Sequence, residues 1–554
     1  MRLLYNALVR TLDSSRPIAS ALLIDRGEIV AVGGEELLEA RAEKQDLGGR
    51  VVLPGLTDAH IHLHHYSLGL QKIDCETDTL EECLRRVAER VQSAKPGEWI
   101  FGHGWNQNAW NNFSPRRKEE REGEFTSQRK KESSPPSPLR GANSWPSAAD
   151  LDAVAPNNPV YLTAKSLHAA WANSAALRAA GIAASTPNPQ NGEIQRDERG
   201  QPTGILLESA MELVGNIVPQ PGILALADAI QKAQSALWRM GLTGVHDFDR
   251  RACFMALQLL HARGGLKLRV VKNIPVEDLD HAAALGLRSG FGDDWLRIGS
   301  VKAFMDGALG PRTAAMFQPY LGEPGNRGIL NMDGEQLFEY ARAAANVGLS
   351  MTVHAIGDRA NHEVLDAYEQ LRRYERDQGL SPLRHRIEHV QVLHADDAPR
   401  LAALDVIASM QPIHATSDMP MADKYWGDRS SLAYAWRTQL DHGAKLAFGS
   451  DAPVESPNPF WGLHAAVTRR RADGSPAPEG WYPEQKLTME EALHGFTTGA
   501  AYAAGLEHRL GRLAEGCLAD LIVLEQDPFT VEADELLTMQ SSATMVGGEW
   551  VWEA

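Results

Sequence analysis

Hydrophobic positions along the chain fall into two styles. From about residue 55 to 505, short apolar runs alternate with stretches of helical periodicity. The runs are VYLTA (160–164), LTGVHDF (242–248), LRIGSVKAFMD (296–306), LSMTVHA (349–355), RHRIEHV (384–390), VIASMQPI (406–413) and KLAFGSD (445–451). Around them, LEECLRRVAERVQ, LADAIQKAQSALWRM and GEQLFEYARAAANVG carry apolar residues three and four apart, the spacing of one helix face. Strands alternating with helices predict an α/β fold with a parallel sheet. So many units in one block favour a (β/α)8 TIM-like barrel over a doubly wound sheet.

The two ends read differently. Residues 1–54 carry LLYNALV, SALLIDRGEIVAVG and RVVLP around an Asp25-Arg26-Gly27 turn, and 506–554 carry GRLAEGCLADLIVLEQDPF and SSATMVGGEWVWEA. Each is a β-meander too small to close a core alone, so together they predict one small β-sandwich built from both termini. Residues 112–144 break the style. They hold four apolar, eight basic and five acidic side chains in 33 residues, with a Ser/Pro tract. Such a segment buries too little to offset chain ordering, which predicts a disordered surface insertion rather than a basic docking arm.

Composition narrows the function class. The 554 residues include 55 basic and 72 acidic side chains, for a formal net charge of −17. The acidic balance argues against nucleic acid and against an anionic membrane surface. No stretch reaches the ~18 consecutive apolar residues of a spanning helix. The opening MRLLYNALVR is broken by Asn6 and Arg10 before a secretory h-region forms. Cys75, Cys83, Cys253 and Cys517 make no CxxC pair and are too few for a disulfide framework. The expectation is a cytoplasmic protein with reduced thiols, acting on a small molecule, as a monomer or a homo-oligomer.

The chemistry concentrates at the ends of the apolar runs. In VVLPGLTDAHIHLHH, His60 and His62 lie two apart after a β-type run, so both imidazoles project from one strand face. Two imidazoles on one side make half of a metal site. Lys302, His354, His389 and Asp451 sit in or at the ends of four later runs. Singly, each has an ordinary structural reading: a hydrogen-bonded core histidine, a capping aspartate, a paired lysine. Together they fall where catalytic groups of a β/α barrel gather. A second tier, His103, Trp105, His168, His246 and His414, lies near other strand ends or loops. His64 and His65 read as supporting or solvated.

PGLTDAHIHL, SVKAFMDGAL, TVHAIGDRA, RIEHVQ, MQPIHA and FGSDAPVESPNP resemble the amidohydrolase superfamily. Within it they are similar to the family-3 branch, the YtcJ-like metal-dependent hydrolases related to N-substituted formamide deformylases. The resemblance spans nearly the whole chain except 112–144. It implies that His60, His62, His354, His389 and Asp451 are metal ligands, and that Lys302 is carboxylated and bridges two metals. The alternative is a single metal with Lys302 as a charged neighbour. Zinc leads as the cofactor, with manganese or iron as alternatives. The expected reaction is hydrolysis of a non-peptide C–N bond, amide or formamide-like, by water whose pKa the metal lowers from about 15.7 toward ~7. Asp451 would be the general base. His103, Trp105, His168, His246 and His414 would contact substrate. Alternatives are a cyclic-amide hydrolase, an aminoheterocycle deaminase or, remotely, a non-catalytic barrel scaffold.

Overall fold

The computed structural model describes residues 1–106, 110, 145–164, 169–189, 192–219 and 221–554. The insertion expected at 112–144 and the candidate His168 lie outside these residues. The chain divides into two compact units, 1–67 together with 222–554, and 68–221.

In the first unit eight parallel strands run in chain order around one sheet. They are β1 (Leu56–Ile61), β2 (Leu242–Asp247), β3 (Arg269–Pro275), β4 (Leu296–Phe304), β5 (Met351–Ala355), β6 (Arg386–His389), β7 (Ile407–Met410) and β8 (Leu446–Phe448). Just past the ends of β1 and β8, Ile61 bridges Ala452 in parallel. The His62 N–H donates to the Ala452 carbonyl at 2.8 Å and the Asp451 N–H to the His60 carbonyl at 2.7 Å, so the sheet is nearly closed into the expected barrel. The strands bear buried Val, Ile, Leu and Ala on both faces, as parallel strands covered by helices do. One covering helix, Asp358–Asp377, buries Val364, Leu365, Tyr368 and Leu371, three and four apart along one face.

β3 was absent from the apolar runs. Its sequence, RVVKNIP, is interrupted by Lys272 and Asn273, yet both are 2% exposed. Lys272 is paired with Asp247 at 2.8 Å, and the Asn273 side-chain carbonyl accepts from the Ser300 N–H at 2.8 Å. Polar residues inside a strand are tolerated where each finds a partner, and hydropathy along the chain cannot see that.

Two further sheets of this unit come from the chain ends, one from N-terminal strands alone and one from both termini. Glu28–Gly33, Ala21–Asp25, Arg2–Tyr5 and Glu43–Asp46 form one. In the other, Val51–Pro54 pairs antiparallel with the distant Leu521–Leu524. Leu4, Leu22, Ile29, Val52, Leu521, Val523 and Met545 share a core, which is the sandwich expected from the two ends.

The second unit has its own sheet. Its order is Gly192–Arg196, Pro202–Glu208, Ala169–Ala172, Val160–Ala164, Ile100–Trp105 and Ile73–Asp74, with parallel and antiparallel pairs mixed. VYLTA, expected within a barrel span of 55–505 interrupted only by the insertion at 112–144, is therefore a strand of this sheet and not of the barrel. Periodicity reports that a run is buried, not which core buries it. Among the described residues, no helix is long and apolar enough to cross a membrane.

Candidate metal centre

The C-terminal ends of β1, β4, β5, β6 and β8 bring His60, His62, Lys302, His354, His389 and Asp451 to one end of the barrel. Local sequence makes that approach tight. A Cβ on Gly449 would lie 2.5 Å from the His60 nitrogen and 2.6 Å from Asp58 Oδ1, so only glycine lets the end of β8 meet β1 there. Asp58 ties the two strands: Oδ1 accepts from the N–H groups of His60 and Ser450, both at 3.0 Å, and Oδ2 from the Ser450 hydroxyl. His389 (φ 75°) and Asp451 (φ 60°) both adopt the left-handed backbone region. Strain of that kind costs on the order of 1–3 kcal/mol per residue, persists only where the surroundings enforce it, and gathers at functional sites.

The imidazoles are oriented from behind. His60 Nδ1 lies 2.6 Å from Glu388 Oε2, and His62 Nδ1 lies 3.1 Å from Asp249 Oδ1. Their Nε2 atoms converge on a single oxygen, Asp451 Oδ1, at 3.4 and 3.3 Å. His389 uses Nδ1 on the Gln411 side-chain carbonyl at 2.8 Å, leaving Nε2 as its donor atom. His354 turns the other way: Nε2 bonds the Gly307 carbonyl at 2.9 Å, leaving Nδ1. Ring centroids of His354 and His389 are 4.6 Å apart, and those of His60 and His389 5.2 Å. Ligand atoms of His60, His389 and Asp451 all lie within 4.8 Å of one another, close enough to share an ion. Among the described residues Lys302 Nζ is buried without a hydrogen-bond partner, 4.7 Å from the ring centroids of both Phe248 and Phe304.

Charge follows from these surroundings. Burial disfavours an imidazolium and takes His60 down to about 4, against the pull of Asp451 and Glu388. Burial, with Lys302 nearby, takes His354 to about 3, and burial with His354 beside it holds His389 well below its ordinary value. His62 goes the other way: burial opposes its proton, but Asp249 and Asp451 outweigh burial and lift it to about 10. Burial alone would raise Asp451, yet His60, His62 and His389 hold it well below the usual carboxylate range. Burial lowers the Lys302 amine to about 8 although Glu388 and Asp451 pull upward. The neutral imidazoles of His60 and His389 and the anionic carboxylate of Asp451 thus face one point, in the protonation states a metal ion requires. The proton on His62 lies between two carboxylates, where a cation competes for its place.

The second-tier candidates divide. His414, in the first turn of the helix Pro412–Trp426, stacks on His389 at 5.9 Å and lies 4.0 Å from Asp451 Oδ2. His246 is 2% exposed inside the barrel and accepts from Arg386 Nη1 through Nδ1 at 2.9 Å. His103 and Trp105 belong to the second unit. His103 Nδ1 meets the Thr163 hydroxyl at 2.9 Å, and Trp105 is fully buried, packed in a core with Trp110, Trp145 and Trp171.

Sequence reasoning missed Glu388, Asp249 and Gln411, the groups that aim the imidazoles. Glu388 also accepts from the hydroxyls of Thr352 (2.5 Å) and Ser409 (2.7 Å) and pairs with Arg386 Nε at 2.5 Å. The signal was present in RHRIEHV: Arg386 and Glu388 are two apart, hence on one face of an otherwise apolar strand.

Aligned imidazoles and a carboxylate at the C-terminal end of a parallel barrel define a metal-dependent hydrolase. The model of the amidohydrolase family matches residues 43–552, and the chain belongs to that family. Protein LONG AFTER FAR-RED 3 of Arabidopsis thaliana is 33% identical, over 99% of this chain and 91% of its own length. A putative amidohydrolase, YtcJ, of Bacillus subtilis (strain 168) is 31% identical over 99% of both chains. The N-substituted formamide deformylase of Arthrobacter pascens is 29% identical over 99% of this chain and 97% of its own. Among solved structures, an uncharacterized metal-dependent hydrolase from Pyrococcus horikoshii OT3 superposes with a TM-score of 0.76 at 27% identity, covering 96% of this chain and 99% of that one.

Proposed function

We propose that this protein hydrolyses a non-peptide carbon–nitrogen bond in a small amide or formamide-like substrate, with one or two divalent cations at the barrel end. The observation that carries this reading is the convergence of His60 Nε2 and His62 Nε2 on Asp451 Oδ1, at 3.4 and 3.3 Å. The formamide-like branch is favoured by the Arthrobacter pascens relative, which aligns over 99% of the chain.

The donor set fits a divalent cation: neutral imidazole and carboxylate suit zinc first, and manganese or iron after it. His60, His62, His389 and Asp451 would hold one ion, and His354 with Lys302 would complete a second position. An unpartnered buried ammonium is costly, and the lowered pKa of Lys302 makes its neutral amine accessible. That neutral form is the one that takes up carbon dioxide, and the resulting carbamate would replace a lone cation with an anionic oxygen donor. When bound, the cation supplies Lewis acidity, acidifying water and polarising a carbonyl oxygen.

The chain's own residues handle the proton. Asp451, kept anionic by three histidines, takes a proton from the attacking water and passes it to the leaving nitrogen. His414, beside Asp451 and stacked on His389, donates from Nε2 to the Ser450 carbonyl at 3.2 Å and so steadies the turn that carries Asp451. The test is a mass-spectrometric screen of metal-loaded protein against N-substituted formamides, other amides, cyclic imides and aminoheterocycles. Release of an amine from an amide or formamide is expected. Turnover confined to cyclic imides or aminoheterocycles would reassign the bond, and none at all with metal bound would overturn the proposal.

A further inference from the structure

Behind His62, Asp249 is itself part of a buried ion-pair assembly with Asp247 and Lys272. Lys272, Asp247 and Asp249 are 2%, 0% and 2% exposed. Lys272 Nζ sits 2.8 Å from Asp247 Oδ2 and also donates to the Asp249 carbonyl. Asp247 Oδ1 accepts from the Leu63 N–H at 3.0 Å, and Oδ2 from the Asp249 N–H at 3.2 Å. Asn273 donates from its side-chain amide to the Asp247 carbonyl at 3.2 Å. Asp249 therefore has both its main-chain N–H and its main-chain carbonyl fixed before its side chain does anything. That side chain then divides: Oδ1 meets His62 Nδ1 at 3.1 Å, and Oδ2 accepts from the His64 N–H at 2.5 Å. His65 Nε2 approaches Oδ1 more loosely, at 3.6 Å.

Ligand atoms of Asp247, Asp249 and Cys253 lie within 4.8 Å of one another, as in a metal site. Lys272 already supplies the positive charge there. The cluster is an internal ion pair that reaches His62 through Asp249 Oδ1.

We propose that Lys272, Asp247 and Asp249 form a positioning device for His62, one that holds its Nδ1 proton and so presents Nε2 toward Asp451. The inference rests on the reading of His62 as a metal ligand. An imidazole whose Nδ1 faces a carboxylate keeps its proton there and offers the lone pair of Nε2, and such backing fixes ring direction as well as tautomer. A carboxylate on a free side chain could rotate away. Apart from His62, Asp249 is held at three points, two on its backbone and one on its carboxylate, and the lysine anchors one of the backbone points directly. The arrangement parallels the one behind His60, where Glu388 backs the imidazole and Arg386 is the buried cation. Behind His60 the cation meets the backing carboxylate itself, whereas behind His62 Lys272 pairs with Asp247 and reaches Asp249 through its main-chain carbonyl.

The test compares wild type with Asp249→Ala, Asp249→Asn and the charge-neutral double variant Asp247→Asn/Lys272→Met. The double variant is used because Lys272→Met alone would strand two buried carboxylates and can abolish folding. Folding is checked by cooperative thermal melting. Zinc affinity is measured by competition with a chromophoric chelator, and geometry by the visible spectrum of the cobalt-substituted protein. Asp249→Ala is expected to bind zinc roughly 10- to 100-fold more weakly, the usual cost of losing the carboxylate behind a metal-bound histidine, with an altered cobalt spectrum. Asp249→Asn, which retains an acceptor oxygen, should recover part of the loss, and the folded double variant should be weakened like Asp249→Ala. A merely structural role would lower the melting temperature and leave affinity and spectrum unmoved. Folded Asp249→Ala and double variants with wild-type zinc affinity and cobalt spectrum would overturn the proposal, as would a wild type that binds neither ion. Neither readout uses a substrate, so failure of the assigned bond class is seen separately.

Discussion

Asp451→Asn is expected to lower kcat by about 10²–10⁴-fold, the range for removing a general base, while leaving most of the bound metal in place. Asp451 is 9% exposed and held at φ 60° where the barrel closes, with its N–H on the His60 carbonyl. Asparagine has the same shape and keeps an oxygen where Oδ1 meets His60 and His62. It loses the charge and the capacity to take a proton. The loss should therefore appear in kcat, with KM changed much less, because the proton is transferred in the transition state and not in the bound ground state. Steady-state kinetics alongside elemental analysis of the variant separates the roles. Unchanged kcat would remove Asp451 as base, whereas loss of metal in proportion to activity would make it chiefly a ligand.

Glu388→Ala should be the most destabilising change near the centre, at roughly 3–5 kcal/mol, the range for removing one partner of a buried pair. Glu388 is fully buried and takes bonds from Thr352, Ser409, Arg386 and His60. Without it Arg386, 2% exposed, keeps only neutral partners in Thr352, His246 and the Ala59 carbonyl. The pH dependence has a definite sign. Burial by itself would raise the Glu388 carboxyl, but Arg386 and His60 outweigh burial and hold it well below the ordinary glutamate value. A depressed folded-state value gives stability that is fully present above the unfolded pKa of about 4.3. It is lost as pH falls from there through the folded value. Denaturant unfolding across that window should show a shallower acid slope for Glu388→Gln than for wild type. Equal slopes would remove Glu388 from the acid-labile groups.

How far the sequence foretold this molecule depends on which residues are asked about. Strand ends that pair an apolar run with a terminal histidine or aspartate were legible because a polar, ligand-type side chain closing an apolar run is conspicuous in the sequence; His354, His389 and Asp451 stood out in this way. The supporting carboxylates did not. Glu388 sits 328 residues from His60 and Asp249 is 23 from Lys272, so nothing local shows that they touch. β3 escaped because Lys272 and Asn273 read as surface residues until their partners are known. The second unit escaped because a strand such as Val160–Ala164 has the same apolar signature whichever sheet it joins. The terminal sandwich, by contrast, was visible at both ends, since neither meander could have closed a core without the other.

The measurement that bears most directly on the whole account is metal stoichiometry tied to turnover. Protein purified without added metal is analysed for zinc, manganese and iron, stripped with a chelator, and assayed before and after each metal is returned. One or two equivalents per chain, loss of hydrolysis on stripping and recovery on re-addition are the predicted results. Less than about half an equivalent, with hydrolysis indifferent to chelation or not rescued by any of the three ions, would contradict the centre built from His60, His62, His389 and Asp451.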